Sequence, residues 1–201
     1  AEAGGNGLRC FAVWAMGSGH LPPDGGTVLT AVGESLLRPF PGGAEVGMGP
    51  YRLTAEEIGV ELTGESPLLY PTALDGFPFG TVVGMGNPHV VFFVDDLRDA
   101  RLPEFAGRVQ AHREVFPESV NVHFAVRGEP TRVRHFERGA GETLACGSGA
   151  CAVAVALGEG RPGRYVLALP GGEVVVTIDA DREVRLAGPA VTVFTGTWSD
   201  A

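Results

Sequence analysis

The sequence predicts an α+β protein made of two pseudo-symmetric, β-rich halves, each wrapped around one central helix. Short β-branched runs alternate with glycine, proline and aspartate along the chain, which is the pattern of many strands joined by tight turns. In addition, two glycine-led stretches, 3–13 and 145–155, share Ala, Gly and Val at corresponding positions. Such a repeat predicts two helix N-termini that face each other across a cleft, although short Ala/Gly/Val-rich helices also resemble one another by chance.

The individual elements follow from periodicity and turn residues. Helices are predicted over 5–16 and 103–116, where apolar residues recur at helical spacing. A third helix is predicted over 147–157, and its apolar residues on nearly all sides indicate burial inside a sheet. Strands are predicted at 27–32, 44–48, 80–85, 89–94, 120–126, 131–137, 165–169, 173–178, 183–186 and 191–196.

A Gly/Pro turn at 48–50 predicts a domain boundary. Residues 1–50 and a last strand within 191–201 then form one half, and residues 51–190 form the other.

Bulk composition narrows the classes of function. Fifteen Lys and Arg against 24 Asp and Glu give a net charge of −9, so neither nucleic acid nor an anionic membrane is an expected partner. The apolar runs are far shorter than the roughly 18 residues that a membrane span requires. Three cysteines without pairing spacing favour a reducing, cytoplasmic compartment.

The second glycine-led stretch places Cys146 at the start of a helix, where free N–H groups and the helix dipole favour a thiolate. Such placement lowers a thiol pKa from about 8.5 toward neutrality. The flanking Gly147, Ser148 and Gly149 let an anion approach the backbone N–H groups closely. Cys146 is therefore a candidate base or nucleophile, and a structural cysteine is the alternative.

Charged residues crowd the segment just before this helix. Arg138 offers a planar fork for a carboxylate, and Glu137 offers a hydrogen-bonding or proton-handling group. A solvated loop with a capping acid is the alternative interpretation.

Two further polar positions stand out. Asn87 and His89 flank a proline in a turn that leads into a strand. Asn121 lies in an alternating strand pattern, where an amide is disfavoured unless it has a partner. Each of these residues also has a purely structural interpretation.

Several familiar sites are excluded by spacing. The five histidines form neither an HExxH motif nor Cys/His pairs, so no metal is expected. Gly5 and Gly7 lack the third glycine of a dinucleotide fingerprint, and there is no GxSxG or Walker A sequence. We therefore expect neither a metal nor a dinucleotide site.

Three segments resemble diaminopimelate epimerases, which interconvert LL- and meso-diaminopimelate without a cofactor. They are GMGNPH at 84–89, the strand around Asn121 and, above all, ERGAGETLACGSGACA at 137–152. The opening AEAGGNGLRCFA is similar to that family's AEMCGNGARCFA. The resemblance covers nearly the whole chain and implies two similar α/β halves, a role in lysine and peptidoglycan precursor biosynthesis, and a two-base mechanism. In that mechanism one thiolate removes the α-proton and a thiol on the opposite face returns one.

The resemblance also implies a role for each candidate residue. The family's second base matches Cys146, with His89 and Glu137 as supporting polar groups near the thiols. The positions that hold the distal end of the amino acid match Asn87, Asn121 and Arg138. The loops that bind the reacting α-carboxylate match Gly5, Asn6, Gly147 and Ser148.

The sequence departs from the family at its first catalytic cysteine, which falls on Gly4. Cys10 lies about 9 Å further along the predicted helix and is not an obvious substitute. The family also has further residues before this point, so we expect the sequence to be the C-terminal part of a longer polypeptide, with an incomplete first half. We expect Gly4 to impair epimerisation, either in an inactive form or in a homologue that has lost two-base chemistry.

Two other functions remain open at this stage. One is a related racemase or isomerase that acts on another small amino or hydroxy acid. The other is an amino-acid-binding relative without catalysis. A homodimer is compatible with the sequence, which does not determine the oligomeric state.

Overall fold

A computed structural model describes residues 4–31, 33–64, 69–71 and 79–197, and strands dominate them as predicted. The helices of this part are α1 (Gly5–Gly17), α2 (Ala55–Ile58), α3 (Leu102–Ala111) and α4 (Gly147–Gly158). The strands are β1 (Gly26–Thr30), β2 (Gly33–Phe40), β3 (Gly43–Pro50), β4 (Leu69–Pro71), β5 (Phe79–Gly84), β6 (Pro88–Phe93), β7 (Asn121–Val126), β8 (Thr131–Glu137), β9 (Gly141–Thr143), β10 (Gly163–Leu169), β11 (Gly172–Ile178) and β12 (Glu183–Pro189).

The strands form one hydrogen-bonded path in the order β1-β2-β3-β12-β11-β10-β8-β7-β6-β5-β4, with β9 paired to β8. Two neighbouring pairs, β6 with β7 and β8 with β10, are parallel. Helix α1 packs on β2, β3 and β12, whereas α4 packs on β5, β6, β7 and β10 to β12. The predicted α+β fold is therefore confirmed, with strands on several sides of α4, whereas α1 lies on one face of the sheet and leaves Phe11 and Trp14 exposed. The domain boundary near residue 50 stays a prediction.

Helix α4 is the centre of the larger core. All of its residues except Leu157 are buried, as its apolar sequence predicts. Full burial of a valine contributes about 1.5–3 kcal/mol, so packing stabilises this short helix more than its own propensity does. At its C-terminal end, a Cβ on Gly158 would overlap the hydroxyl of Tyr165, so only glycine permits that contact.

A second core lies on the opposite face of β6, β7 and β8, where α3 packs. Adjacent residues of β7 alternate between the two cores, because Phe124 joins the α3 side and Ala125 joins the α4 side. Leu102 and Phe105 supply the buried face of α3. The three strands are thus covered on both faces. Polar side chains of these strands that point toward α4 are therefore buried.

Several predicted elements need correction. The strand predicted at 191–196 is wrong, because residues 190–197 form no strand and Val193 and Phe194 are exposed. Its alternating pattern has no partner strand in the described part of the chain. The helix predicted over 103–116 ends at Ala111, where turns carry the chain to the buried Phe116. The described ranges exclude Ala3 of the repeat, Val32 of the first predicted strand and the C-terminal residues 198–201.

The sequence analysis did not predict α2, β2, β4 or β9, each of which lies within the described residues. Among those residues, the helices are all too short or too polar to cross a membrane.

Candidate active site

The N-termini of α1 and α4 meet, as the internal repeat predicts. A Cβ built on Gly147 would lie 3.1 Å from the Cα of Gly5, so the two first turns are in van der Waals contact. The amide of Asn6 donates a hydrogen bond to the Ala145 carbonyl across this junction at 3.3 Å. Two sets of helix N–H groups therefore converge on one place, which favours binding of a carboxylate.

The junction is tightly packed around both glycines. A Cβ on Gly5 would lie 2.7 Å from Cδ2 of Leu186, and one on Gly147 would lie 3.1 Å from the same atom and from the Cα of Gly5. A larger residue would therefore have to displace the Leu186 side chain or press on the first turn of α1. The structure thus explains why the predicted carboxylate-binding positions include two glycines.

Arg9 is a site residue that the sequence analysis missed. Its guanidinium is buried and donates to Oδ1 of Asn6 at 3.1 Å and to the Gly5 carbonyl at 3.4 Å. It therefore holds the first turn of α1 in place. The predicted buried face of this helix contained Phe11 and not Arg9, whereas the structure buries Arg9 and leaves Phe11 exposed.

Cys146 is the N-cap residue of α4 and is only 5% exposed. Its Sγ accepts a hydrogen bond from the Gly149 N–H at 3.3 Å and lies 3.7 Å from Oγ of Ser148. Burial, together with the nearby charge of Glu137, raises the pKa of Cys146 to about 12. The expected lowering of its pKa is therefore wrong, because burial outweighs these two hydrogen bonds. At neutral pH Cys146 is a thiol and hence a proton donor.

Glu137 lies at the end of β8, close enough to Cys146 for its negative charge to raise the pKa of the thiol. Its Oε1 also accepts a hydrogen bond of 2.5 Å from Oγ1 of Thr143 on β9. Gly139 and Gly141 have φ of +77° and +75°, and these left-handed values let the ERGAGET segment form the tight β8–β9 hairpin. The hairpin therefore positions the carboxylate against the thiol.

Asn121 ties this hairpin to the start of β6. Its Oδ1 accepts from the Arg138 backbone N–H at 3.0 Å, and its Nδ2 donates to the Pro88 carbonyl at 3.4 Å. Arg138 also donates from Nη1 to the Glu118 carbonyl at 2.9 Å. Asn87 lies just before Pro88, so the three residues assigned to the distal end of the amino acid lie at one edge of the sheet.

His89 is fully buried and contacts Asn87 and His123. Its Nε2 lies 2.6 Å from Oδ1 of Asn87, and its Nδ1 lies 2.8 Å from Nε2 of His123. Burial lowers the pKa of His89 to about 3, and the nearby His135 and Arg138 act in the same direction. His89 is thus neutral, and its link to Cys146 runs through His123, which lies against Gly149.

Gly4 is the N-cap residue of α1 and corresponds to Cys146 of α4. Its φ of −94° and ψ of 88° are accessible to any L-residue. Gly4 is exposed, and a Cβ there would meet no described atom within 4 Å. The backbone therefore does not require glycine at this position, and a cysteine side chain fits.

Comparisons with known proteins agree with this geometry. The family model for diaminopimelate epimerase matches residues 81–193. The enzyme named diaminopimelate epimerase from Moorella thermoacetica is 39% identical over 97% of this chain and 74% of that protein. Its counterpart from Thioalkalivibrio sulfidiphilus is 40% identical over 97% of this chain and 72% of that protein. A solved phenazine biosynthesis protein of the PhzF family from Bacillus anthracis shares the fold, with a TM-score of 0.63, 16% identity and coverage of 94% and 73%.

The fold, the paired helix N-termini and these relatives together define an isomerase that acts on a small molecule. More particularly, the chain belongs to the diaminopimelate epimerase family.

Proposed function

We propose that this chain binds diaminopimelate where α1 meets α4 and supplies one face of a two-base epimerisation between the LL and meso forms. The observation that carries the proposal is the junction itself, where two helix N-termini converge beside the buried thiol of Cys146. Membership of the family supports diaminopimelate as the small-molecule substrate.

The junction suits the weak acidity of an amino-acid α-proton. When that proton leaves, negative charge spreads onto the α-carboxylate, so donors fixed around the carboxylate lower the barrier. Backbone N–H groups of Gly5 and Asn6 on one helix and of Gly147 and Ser148 on the other fill this role. Burial strengthens each of these interactions.

Cys146 acts on one face of the α-carbon. Its S–H bond breaks as the new C–H bond forms on the carbanion, and the thiolate left behind keeps the hydrogen bond from Gly149. In the opposite direction the Cys146 thiolate removes the α-proton. The nearby negative charge of Glu137 disfavours the thiolate, because it raises the pKa of Cys146.

The distal end of the substrate lies toward Asn87, Asn121 and Arg138 in this proposal. The guanidinium of Arg138 suits the distal carboxylate, because its planar fork matches two carboxylate oxygens.

Gly4 favours a second candidate function, the binding of an amino acid without inversion. The opposite face of the α-carbon has no proton-transfer group at this position, since glycine has no side chain. In the first proposed function, Cys146 alone exchanges the α-proton on one face and returns a proton to the same face, whereas the binding function involves no exchange. A homodimer, a cytoplasmic location and the lack of nucleic-acid partners remain predictions.

The test is α-proton exchange in deuterium oxide, followed by NMR and chiral analysis of LL- and meso-diaminopimelate. The parent chain is expected to incorporate deuterium without inversion, and Gly4→Cys is expected to epimerise. Gly4→Ser is the matched control, because its side chain has a similar size but is a far weaker acid. Binding without exchange in both the parent and Gly4→Cys would support the binding function, and failure to bind would refute the assignment of substrate.

A further inference from the structure

Three buried histidines form a continuous hydrogen-bonded row across β6, β7 and β8. His123 lies opposite His135 in the antiparallel register, and His89 lies diagonally from His123 on the parallel neighbour. The Nδ1 atoms of His123 and His135 are 2.8 Å apart, as are Nδ1 of His89 and Nε2 of His123. We call His89, His123 and His135 the histidine row. Each member has 0% exposure.

The histidine row ends at Asn87 on one side. The contact with Asn87 determines which ring nitrogen donates and which accepts in each hydrogen bond of the row. A neutral imidazole has one N–H and one acceptor nitrogen. Because Oδ1 of Asn87 is an acceptor, His89 donates from Nε2 and accepts at Nδ1. His123 must then donate from Nε2 and accept at Nδ1, and His135 must donate from Nδ1.

The His135 end of the row independently indicates the same donors and acceptors. Nε2 of His135 is buried and has no hydrogen-bond partner among the described residues. With the tautomers that the Asn87 contact determines, Nε2 of His135 has no proton and carries only a lone pair. With the opposite tautomers, Nε2 of His135 would be a buried N–H without an acceptor, which is the rarer and costlier arrangement.

The surroundings keep the row neutral. Burial lowers the pKa of His135 to about 4, and it lowers the pKa of His123 well below its usual range. The charged and titratable groups nearest the row are Arg138, which acts on His89, and the Cys146 thiol, which shares Gly149 as a neighbour with His123. None of the row's described hydrogen bonds involves a carboxylate, and the described histidines do not form a cluster suited to a metal ion.

We propose that His123 and His135 are positioning residues that hold His89 as its Nε2–H tautomer and thereby fix the orientation of the Asn87 amide. With its oxygen committed to His89, the Asn87 amide is held in one of its two possible orientations. A role of Asn87 in binding substrate rests on the proposed function, whereas the tautomer assignment does not.

The test is NMR of the whole chain with ¹⁵N-labelled histidine at neutral pH. Protonated and bare ring nitrogens have distinct ¹⁵N shifts. The expected pattern is N–H at Nε2 of His89 and His123 and at Nδ1 of His135. An Nδ1–H tautomer at His89, or an averaged mixture, would overturn the proposal without any variant.

Two variants then test the link to ligand binding. His123→Gln keeps an N–H donor where Nε2 of the imidazole lies, whereas His123→Phe keeps the bulk but removes the donor. We expect averaged tautomers at His89 and a Kd for meso-diaminopimelate raised about five- to tenfold in His123→Phe. His123→Gln should leave the His89 tautomer and the Kd for meso-diaminopimelate close to those of the parent. An unchanged Kd in His123→Phe would overturn the positioning role. If the parent binds no diaminopimelate, the proposed function fails, and the tautomer pattern still decides the assignment of the row.

Discussion

The histidine row makes stability depend steeply on pH in the mildly acidic range. His89 and His135 have folded-state pKa values of about 3 and about 4, against an ordinary value of 6.5, and burial also lowers the pKa of His123 well below that value. A histidine whose pKa is lowered by folding makes its full contribution to the free energy of unfolding above pH 6.5. As the pH falls below 6.5, that contribution decreases, because the unfolded chain binds a proton that the folded chain does not bind. The loss continues down to the folded-state pKa.

The expected magnitude follows from proton counting. At pH 5 the unfolded chain carries nearly one proton on each of the three histidines, and the folded chain carries almost none. Between pH 7 and pH 5 each histidine therefore lowers the free energy of unfolding by about 2 kcal/mol, which gives about 6 kcal/mol in total. This is a large share of the 5–15 kcal/mol that is typical of whole domains.

Urea unfolding followed by circular dichroism at pH 7, 6 and 5 measures this loss. His135→Phe should reduce this loss in the free energy of unfolding by about one third, because it removes one of the three histidines that stay unprotonated in the folded chain. His20→Gln, which removes an exposed histidine, is the matched control. The reasoning is refuted if the loss between pH 7 and pH 5 is below about 2 kcal/mol, or if both variants change it equally.

Three further predictions concern the junction and its neighbours. Iodoacetamide should alkylate the exposed Cys10 faster than Cys146, whose burial raises its pKa, and mass spectrometry that finds the reverse order would contradict the buried thiol. Gly149→Ala should lower the free energy of unfolding by about 1–3 kcal/mol, because its Cβ would overlap Cε1 of His123. The control Gly107→Ala, on the open face of α3, should instead be neutral or slightly stabilising in the same urea titration. Arg138→Lys should weaken binding of diaminopimelate about tenfold by calorimetry, since lysine lacks the bidentate fork, and an unchanged Kd would remove Arg138 from the substrate site.

Much of the fold was predictable because it depends on local periodicity. The apolar residues on all sides of α4 predicted its burial, and the repeat predicted that it would meet α1. The strand predicted at 191–196 shows the limit of such patterns, because alternation gives a strand only where a partner is available. Strand β2 carries Pro39, which lies beyond the residues paired with β1 and is paired with β3 alone, so the missing N–H costs no hydrogen bond to β1. Its pairing partners, rather than its own sequence, decide its state.

The sequence analysis named candidate site residues, although not Arg9, and it could not give their ionisation states. The position of Cys146 before a helix indicated a lowered pKa. Only the packing around Cys146 shows that burial, which raises the pKa, outweighs the effect of the helix N-terminus. The histidine row depends on the register of three strands, and His89 and His123 are 34 positions apart in the sequence. No local pattern specifies such a register.

The pairing of β3 with β12 has a consequence for how the protein is made. These strands, Gly43–Pro50 and Glu183–Pro189, are neighbours in the sheet but are separated by most of the chain. At a typical rate of protein synthesis, β12 leaves the ribosome on the order of ten seconds after β3. Throughout that interval one edge of β3 has open backbone groups that can pair with another chain. The nascent polypeptide is therefore exposed to aggregation through β3 until β12 pairs with it, and a chaperone would protect it during that interval.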